Sequence, residues 1–372
     1  MENHFICLFP DSSIYFNIVM NKEFKQILEN IEKALNTALP QTADTEGWTP
    51  ASFGALPSGA SSEYINKLIE PNRALVSLGG KRWRPLLMML CYKMAKEQAA
   101  DKGSSPALSE EETYSITPLV EFVHTASLIH DDIEDNADLR RGKPAAHITY
   151  GLDTALNAGS WLYFEAPVCI NQLKAPDTLK LELYKTYTNE LRRLHLGQAM
   201  DIFWHRNPDV FPPEEEYLAM VKSKTGTLAC LAAKLGCIAG GLSSAETDSF
   251  GSIAADIGIG FQIIDDVINL TSGNPGKKRG DDIVEGKKSL PVLIHSSLRP
   301  DDKAKIAEYM KTASRDGIDS PAVETCISLL KESGCIEKAA EQGRKLIQES
   351  CARFNSAEIQ ELFTSMIPEN FR

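Results

Sequence analysis

The chain has no apolar run as long as a membrane span, and it has fewer basic than acidic side chains. Lys and Arg number 39 of 372 residues and Asp and Glu number 51, which gives a formal net charge of -12. A chain with this balance lacks the general positive field that nucleic-acid binding requires. We therefore expect no transmembrane segment and no nucleic-acid partner.

The eight cysteines are scattered, with no Cys-x-x-Cys and no nearby histidine pair at zinc spacing. This pattern favours reduced thiols in a cytoplasmic protein over a disulfide framework or a zinc site. The first residues carry no Lys or Arg before a short apolar patch that Pro10 interrupts, which is poor as a signal peptide. We interpret residues 1–19 as an N-terminal extension, either dispensable or the result of a start placed too early.

Apolar residues recur at spacings of three and four in nearly every long segment, as in "FKQILENIEKALNTAL" and "TPLVEFVHTASLIH". This period is typical of amphipathic helices, and alternating strand patterns are nearly absent. Segments rich in Gly, Pro, Ser, Asp or Asn separate helices rather than domains, because the helical pattern resumes after each; they are residues 40–62, 101–109, 206–213, 271–280 and 299–302. We predict an all-α fold in which residues 20–372 form a single large helical bundle around a central cavity.

Two aspartates four residues apart follow a buried helical run in "LIHDDIED". Asp131 and Asp135 project from one helical face, where like charges repel unless a cation lies between them. Magnesium accepts one or two carboxylates together with substrate phosphate oxygens, and Arg140 and Arg141 just beyond suit the same phosphates. A solvated acidic face and an internal salt-bridge cluster are the alternatives for this segment alone.

A second aspartate pair, Asp265 and Asp266, ends the apolar run of "GIGFQIIDD", with Asn269 where a repeated motif would place a third acid. Basic side chains cluster near apolar helices in three other segments, "SLGGKRWRPLL", "MVKSKTGTL" and "GKKRGDDIVEGKKSLP". Together these clusters predict one polar site at the mouth of an apolar cavity.

In their order, these motifs resemble those of an all-trans isoprenyl diphosphate synthase of the polyprenyl synthetase family. The resemblance covers roughly residues 60–295, from "GGKRWRP" through "HDDIEDNADLRRGKPAAH", "NAGS", "HLGQAMDI" and "KTGTL" to "GFQIIDDVIN" and "GKKRGDDIVEGKKSLP". It implies a transferase of isoprenoid biosynthesis that joins an allylic diphosphate head-to-tail to isopentenyl diphosphate, releases pyrophosphate and works as a homodimer.

The same resemblance implies the site residues. Asp131 and Asp135 would hold two magnesium ions and Asp265 a third, with manganese as a substitute metal and Asp132, Asp266 and Asn269 behind these ligands. The expected isopentenyl diphosphate ligands are Lys81, Arg84, His124 and Arg141. The expected allylic diphosphate ligands are Arg140, Lys224, Gln262, Lys277 and Lys287. Lys224, Thr225 and Gln262 are the expected catalytic residues, because the reaction forms a carbocation and an anionic leaving group.

Two departures from the family pattern affect this interpretation. Asn269 replaces an acid, which we interpret as a change that weakens magnesium binding without abolishing it, and Ser160 stands where the family often has a carboxylate. Ala126 and Ser127 are small where short-chain members tend to place an aromatic residue, so we expect products of about twenty carbons or more by this analogy. Phe122 either closes the cavity deeper or is an ordinary core aromatic.

Three alternatives remain open from the sequence. A class I terpene cyclase would share the aspartate-magnesium chemistry but would not need the isopentenyl-binding set. A non-catalytic regulatory subunit would bind a partner synthase. A carboxylate-bridged di-metal bundle would require Glu-x-x-His pairs on two helices, and the sequence has none.

Overall fold

The computed structural model describes residues 22–44, 46–273 and 278–368. Within these ranges the α-helices, numbered α1 to α19 in chain order, are Lys22–Ala38, Trp48–Phe53, Ser62–Ser77, Trp83–Asp101, Glu110–Ser115, Pro118–Glu134, Ala146–Tyr150, Leu152–Glu165, Val168–Gln172, Asp177–Arg206, Glu214–Val221, Thr227–Gly240, Ser244–Thr271, Asp281–Glu285, Leu290–Leu298, Lys303–Asp316, Pro321–Glu332, Cys335–Cys351 and Ala357–Met366. A π-helix, Lys222–Gly226, joins α11 to α12, and a 3-10 helix, Pro300–Asp302, precedes α16. The predicted all-α fold is confirmed.

Two of the helices begin with a complete capping box. At the start of α5, Ser109 Oγ accepts a hydrogen bond from the Glu112 amide at 3.2 Å, and the Glu112 carboxylate accepts from the Ser109 amide at 3.0 Å. Ser243 and Glu246 make the same exchange at the start of α13. Each box satisfies backbone N–H groups that have no partner within the helix, which explains why these helices begin where they do.

The centre of the bundle is built from long helices with apolar faces. Helix α12 packs along α4 and α13, and α13 packs along α18. Helices α13 and α18 each contribute to both large clusters of buried side chains, through Ile257 and Ile347 in one cluster and Ile263 and Ala339 in the other. The shared helices tie the two clusters together, so the segments that carry the sequence motifs are held in fixed relative positions.

A two-residue hairpin follows α6. Strand β1, Leu139–Arg140, pairs antiparallel with β2, Lys143–Pro144, and Arg141 and Gly142 form its turn with φ values of 51° and 74°. The hairpin reverses the chain directly after the first aspartate motif. As a result, Arg140 projects from the hairpin back toward Asp132 of α6, whereas Arg141 projects toward Gly79 and Gly80 before α4.

Some local details differ from the sequence-based expectation. The segment 40–62 contains helix α2, whose Trp48 and Phe53 pack against Trp161 of α8. Helix α13 continues past Asp265 and Asp266 to Thr271 rather than ending at the pair. Residues 1–19 and Lys277 lie outside the described residues. None of the described helices combines the length and apolar character that crossing a membrane requires. The seven cysteines within the described ranges are all buried and form no disulfide with one another.

Candidate active site

A cavity of about 510 Å³ opens where α6, α10, the π-helix and α13 meet the segment after α14. Polar side chains from all five segments line it, and apolar side chains such as Leu128, Leu194 and Leu228 form part of its wall. The predicted site residues that line it are Arg84, His124, Ser127, Asp131, Asp135, Arg140, Lys224, Thr225, Gln262, Asp265, Asp266 and Lys287. The acidic and basic motifs, which are far apart in the sequence, thus meet around one cavity.

The first aspartate motif lies at the C-terminal end of α6. Gln198 of α10 donates from Nε2 to Asp131 Oδ1 at 2.8 Å and to Glu134 Oε2 at 2.5 Å. Burial raises the pKa of Glu134. One amide therefore holds two carboxylates that stand three residues apart on the same helix, and it fixes the direction in which Asp131 faces the cavity.

Lys224 enters the site from the π-helix. Its Nζ lies 2.6 Å from Asp201 Oδ2 and 3.8 Å from Asp131 Oδ1. Burial by itself lowers the pKa of Lys224, but the carboxylates of Asp131 and Asp201 raise it above its usual value. The lysine is therefore a fixed cation at the cavity wall. Such π-turns are frequent at functional sites because they redirect side chains that a regular helix would present elsewhere.

Close packing of α10 positions the π-helix. A Cβ at Gly197 would lie 2.3 Å from the Lys224 backbone nitrogen and 2.7 Å from the Ser223 carbonyl carbon. Only a residue without a side chain permits this approach of one backbone to another. Gly197 thus places the backbone that carries Lys224.

The second aspartate pair divides into an outward and an inward residue. Asp265 is exposed at the cavity, whereas Asp266 is buried. Asp266 accepts hydrogen bonds from Tyr217 Oη at 2.6 Å, from Gln262 Nε2 at 3.0 Å and from the Leu290 amide at 3.1 Å. Burial raises the pKa of Asp266. Asp265 is therefore the member of the pair that is placed to meet a ligand.

Asn269 lies outside the cavity wall. Its Oδ1 accepts from the Asp282 amide at 3.3 Å, and its backbone carbonyl accepts from the Gly280 amide at 2.9 Å. The side chain is buried and joins the end of α13 to the start of α14. It contacts the segment that carries Asp282 and Lys287 rather than the cavity, so its expected influence on magnesium stays a prediction.

Lys287 reaches the first aspartate motif from the segment after α14. Its Nζ lies 3.4 Å from Asp135 Oδ2 and also forms an ion pair with Glu285. Burial alone lowers the pKa of Lys287, yet Glu285 and Asp135 raise it well above its usual value. A permanent cation therefore stands next to Asp135, the carboxylate directly after α6.

The hairpin arginine Arg140 is bound to the buried aspartate of the first motif. Its Nε donates to Asp132 Oδ1 at 2.8 Å, and one terminal nitrogen contacts the same oxygen. Asp132 is 1% exposed, so this carboxylate positions the arginine and does not itself face the cavity. Arg140 nevertheless lines the cavity with part of its guanidinium free to meet an anion.

A second cationic group lies at the start of α4. Arg84 packs its guanidinium carbon 4.5 Å from the centre of the Trp83 ring, and its Nη1 lies 3.4 Å from His124 Nε2. Burial and Arg141 lower the pKa of Arg84 to about 10, and burial with Arg84 lowers that of His124 well below its usual value. At neutral pH the pair is a charged arginine beside a neutral imidazole. The buried Arg84 Nε has no hydrogen-bond partner within the described residues.

Lys81 and Arg141 lie at the rim beside this pair rather than in the cavity wall. The Arg141 guanidinium packs over Gly80, with Nη2 3.0 Å from the position of a Cβ, and it hydrogen-bonds the Gly79 carbonyl. Partial removal from water and the nearby Arg84 lower the pKa of Lys81 to about 8, against the opposing effect of Asp265. The four predicted isopentenyl-binding residues are thus in one neighbourhood, with two in the cavity and two at its edge.

The predicted chain-length residues occupy different environments. Ser127 lines the cavity and donates from Oγ to the His124 carbonyl at 2.9 Å, whereas Ala126 is fully buried beside it. Phe122 lies on the wall of a second cavity of about 600 Å³, bordered by α1, α5 and α8. Ser160 contacts His130 at 3.3 Å, and His130 stacks with Tyr163 at a centroid distance of 5.5 Å.

Some residues of the site had no role assigned from the sequence. Gln198 and Asp201 lie within the quoted motif "HLGQAMDI", three residues apart, which is the spacing of one helical face. Their spacing was a signal that could have identified them. Tyr217 gave no such signal, because its partner Asp266 is distant in sequence. Glu285 lies two residues before its partner Lys287 in the quoted motif "GKKRGDDIVEGKKSLP", so sequence proximity was a signal there.

The aspartates fit divalent metals that are shared with a substrate. Asp131, Asp135 and Asp265 present carboxylate oxygens to the same cavity, but the described residues contain no group of three His, Cys, Asp or Glu side chains close enough to hold an ion alone. Magnesium commonly binds through one or two carboxylates and completes its octahedron with water and phosphate oxygens. The donor set is therefore of the right kind for magnesium that a diphosphate completes.

The fold recurs in solved structures of prenyl synthases. The geranylgeranyl pyrophosphate synthetase of Pyrococcus horikoshii superposes with a TM-score of 0.73 at 25% identity, covering 92% of this chain and 95% of that one. Fold and site together define an all-α prenyltransferase.

Sequence comparison gives the family. The polyprenyl synthetase model matches residues 65–328. Geranylgeranyl pyrophosphate synthase 2 of Zymoseptoria tritici is 37% identical over 60% of this chain and 67% of its own length. The short chain isoprenyl diphosphate synthase of Methanocaldococcus jannaschii is 33% identical over 72% of this chain and 77% of its own. The chain belongs to the polyprenyl synthetase family.

Proposed function

We propose that the protein catalyses the magnesium-dependent head-to-tail condensation of isopentenyl diphosphate with an allylic prenyl diphosphate, giving an all-trans product of about twenty carbons or more. The observation that carries the proposal is the meeting of Asp131, Asp135 and Asp265 with Arg140, Lys224 and Lys287 around one cavity. Acidic groups that bind magnesium and basic groups that bind phosphate are both needed to hold a diphosphate. The names of the relatives support a prenyl diphosphate product.

The chain's own residues account for each part of the reaction. Magnesium on the three aspartates would neutralise the pyrophosphate that leaves the allylic substrate. Arg140, Lys224 and Lys287 are fixed cations that add to this neutralisation and need not move when charge develops. Arg84 and His124 line the same cavity and are the groups that we assign to isopentenyl diphosphate.

The apolar wall protects the carbocation that forms when the carbon–oxygen bond breaks. Leu128, Leu194 and Leu228 supply surface that excludes water, which would otherwise capture the cation. Thr225 and Gln262 contribute oxygen atoms near the reacting end. No covalent nucleophile is required, because the double bond of isopentenyl diphosphate is the attacking group and released pyrophosphate can accept the final proton.

The test is incubation of the purified chain with labelled isopentenyl diphosphate, magnesium and allylic primers of increasing length, followed by mass analysis. We expect label in an elongated prenyl diphosphate, loss of product with a chelator, and recovery with magnesium or manganese. Asp131→Asn should abolish turnover, whereas Asp319→Asn, at an aspartate 92% exposed, should not. Cyclised product without label would identify a terpene cyclase. Inactivity of a correctly folded chain would favour the regulatory subunit.

We also propose a single domain and a homodimer. Helices α8 and α10 are neighbours, since the Tyr163 and His195 rings lie 5.3 Å apart, and both expose large apolar side chains. Phe164 is 77% exposed and Leu196 58% exposed, which is unusual unless a partner covers them. Light scattering should give a molar mass twice that of one chain, and Phe164→Lys should lower this molar mass. Limited proteolysis should leave residues 20–372 as one fragment. The cytoplasmic location stays a prediction.

A further inference from the structure

Tyr217 is a buried tyrosine of α11 whose hydroxyl makes one short contact. It is 1% exposed, and Oη donates to Asp266 Oδ2 at 2.6 Å. The residue belongs to none of the sets that bind metal or diphosphate above. Its hydroxyl nevertheless lies at the start of a series of hydrogen bonds that reaches the reacting end of the cavity.

The carboxylate of Asp266 is fully engaged by donors. Besides Tyr217, Oδ2 accepts from the Leu290 amide at 3.1 Å, and Oδ1 accepts from Gln262 Nε2 at 3.0 Å. An ionised carboxylate accepts hydrogen bonds and donates none. It therefore determines which end of the Gln262 amide faces it, because the carbonyl end would place two acceptors against each other.

With its nitrogen directed at Asp266, Gln262 presents Oε1 to Thr225. Thr225 Oγ1 donates to this oxygen at 3.0 Å. A threonine hydroxyl has one proton and two lone pairs, so a proton committed to Gln262 leaves lone pairs for the cavity. The order of donors thus runs from Tyr217 to Asp266, from Gln262 to Asp266, and from Thr225 to Gln262.

We propose that Tyr217 is a positioning residue: by holding Asp266 it fixes the Gln262 amide, so that Thr225 turns oxygen lone pairs rather than its proton toward the carbocation. The inference rests on the proposed condensation. A partial negative charge placed in advance near a developing cation stabilises the transition state without reorganisation. Loss of the Tyr217 hydroxyl leaves Asp266 with two of its three donors, so the carboxylate and the amide it orients are free to rotate.

The test compares Tyr217→Phe with Tyr92→Phe. Tyr92 is also buried, and its hydroxyl donates to the Leu108 carbonyl at 3.3 Å, outside both cavities. We expect Tyr217→Phe to lower kcat about tenfold to hundredfold. Tyr217 lines the cavity, but its hydroxyl is committed to Asp266, so KM for both diphosphates and the half-saturating magnesium concentration should change less than about twofold. Tyr92→Phe should keep the kcat of the parent.

A double-mutant cycle with Thr225→Val tests whether Tyr217 affects kcat through the Thr225 hydroxyl. If Tyr217 acts through the Thr225 hydroxyl, Tyr217→Phe should lower kcat little further once that hydroxyl is gone. An equal loss in both backgrounds, or a rise in the magnesium requirement, would overturn the proposal. If Tyr217→Phe does not fold, Gln262→Met removes the same link and takes its place in the cycle.

A crystal structure of Tyr217→Phe gives a readout without turnover. We expect the 3.0 Å hydrogen bond from Thr225 to Gln262 to be lost, or the Gln262 amide to turn its nitrogen toward Thr225. An unchanged hydrogen bond would contradict the proposed role of Tyr217. If the parent chain does not condense isopentenyl diphosphate, the proposed function fails by itself. In that case the crystal structure of Tyr217→Phe alone tests whether Tyr217 fixes the Gln262 amide.

Discussion

Lys287 Nζ lies 3.4 Å from Asp135 Oδ2, so a lysine beyond α14 touches an aspartate that precedes it by 152 residues. The contact joins the basic segment after α14 to the first aspartate motif. It places a cation where the allylic diphosphate would meet its metal. We predict that Lys287→Met raises KM for the allylic diphosphate about tenfold to hundredfold, because a desolvated charge contact is lost. Steady-state kinetics at saturating isopentenyl diphosphate measures this effect.

The matched control is Lys278→Met, which removes an exposed lysine that pairs with Asp319 at 3.5 Å. This exposed pair contributes little, so KM should not change. An equal increase of KM for isopentenyl diphosphate in Lys287→Met would mean that Lys287 is not specific to the allylic substrate.

Gly197 is expected to tolerate no side chain. Gly197→Ala would place a Cβ 2.3 Å from the Lys224 nitrogen, so the π-helix must shift. We predict a loss of about 1 to 3 kcal/mol in the free energy of unfolding, typical of overpacking, together with a large loss of kcat. Denaturant unfolding and turnover measure the two effects. Ala199→Ser, at an exposed position on the same helix, should change neither, and full activity of Gly197→Ala would refute the role of this contact.

The pKa of Lys81, lowered to about 8, predicts a pH dependence for isopentenyl diphosphate. Below that pH the ammonium is charged and attracts the diphosphate, and above it the charge is lost. Because kcat/KM reports the free enzyme, kcat/KM for isopentenyl diphosphate should decline above pH 8. Lys81→Arg keeps its charge over this range and should move the decline to higher pH. A decline at the same pH in both proteins would assign it to another group.

Product length should respond most directly to Ser127, since its side chain lines the reaction cavity. Ser127→Phe would fill part of that cavity and is predicted to shorten the main product. Ala126→Phe should also shorten it, at an additional cost of about 1 to 3 kcal/mol in stability, because Ala126 is fully buried in the core. Mass analysis of products from one primer measures both. An unchanged product in Ser127→Phe would show that the chain grows in another direction.

Substitution of Phe122 tests how far the growing product extends along α6. It lies five residues before Ser127, about 7.5 Å along the helix axis, and it borders the second cavity. If Phe122 forms the floor for the growing chain, Phe122→Ala should lengthen the product. If the product length stays constant while stability falls, Phe122 is the ordinary core aromatic that the sequence also allowed.

Short-range spacing predicted the parts of the site that lie on one helix. Asp131 and Asp135 were identifiable from a spacing of four after an apolar run, and Asp265 from its position late in another. Arg140 followed from its place beside the acids. Gln198 lies 67 residues from Asp131 and Tyr217 lies 49 from Asp266, and neither pairing leaves a periodic trace in the sequence.

The sequence by itself therefore determined the all-helical class of the fold, the aspartate motifs and the family, because helical period and ligand type are local properties of the chain. Only the tertiary structure decided that Asp132 holds Arg140, that Asp266 holds Gln262, and that Gln198 holds Asp131. These assignments depend on how α10, α11 and the π-helix are rotated and shifted against α6 and α13. That register comes from the packing of many side chains at once, including the close approach at Gly197, and no single segment encodes it.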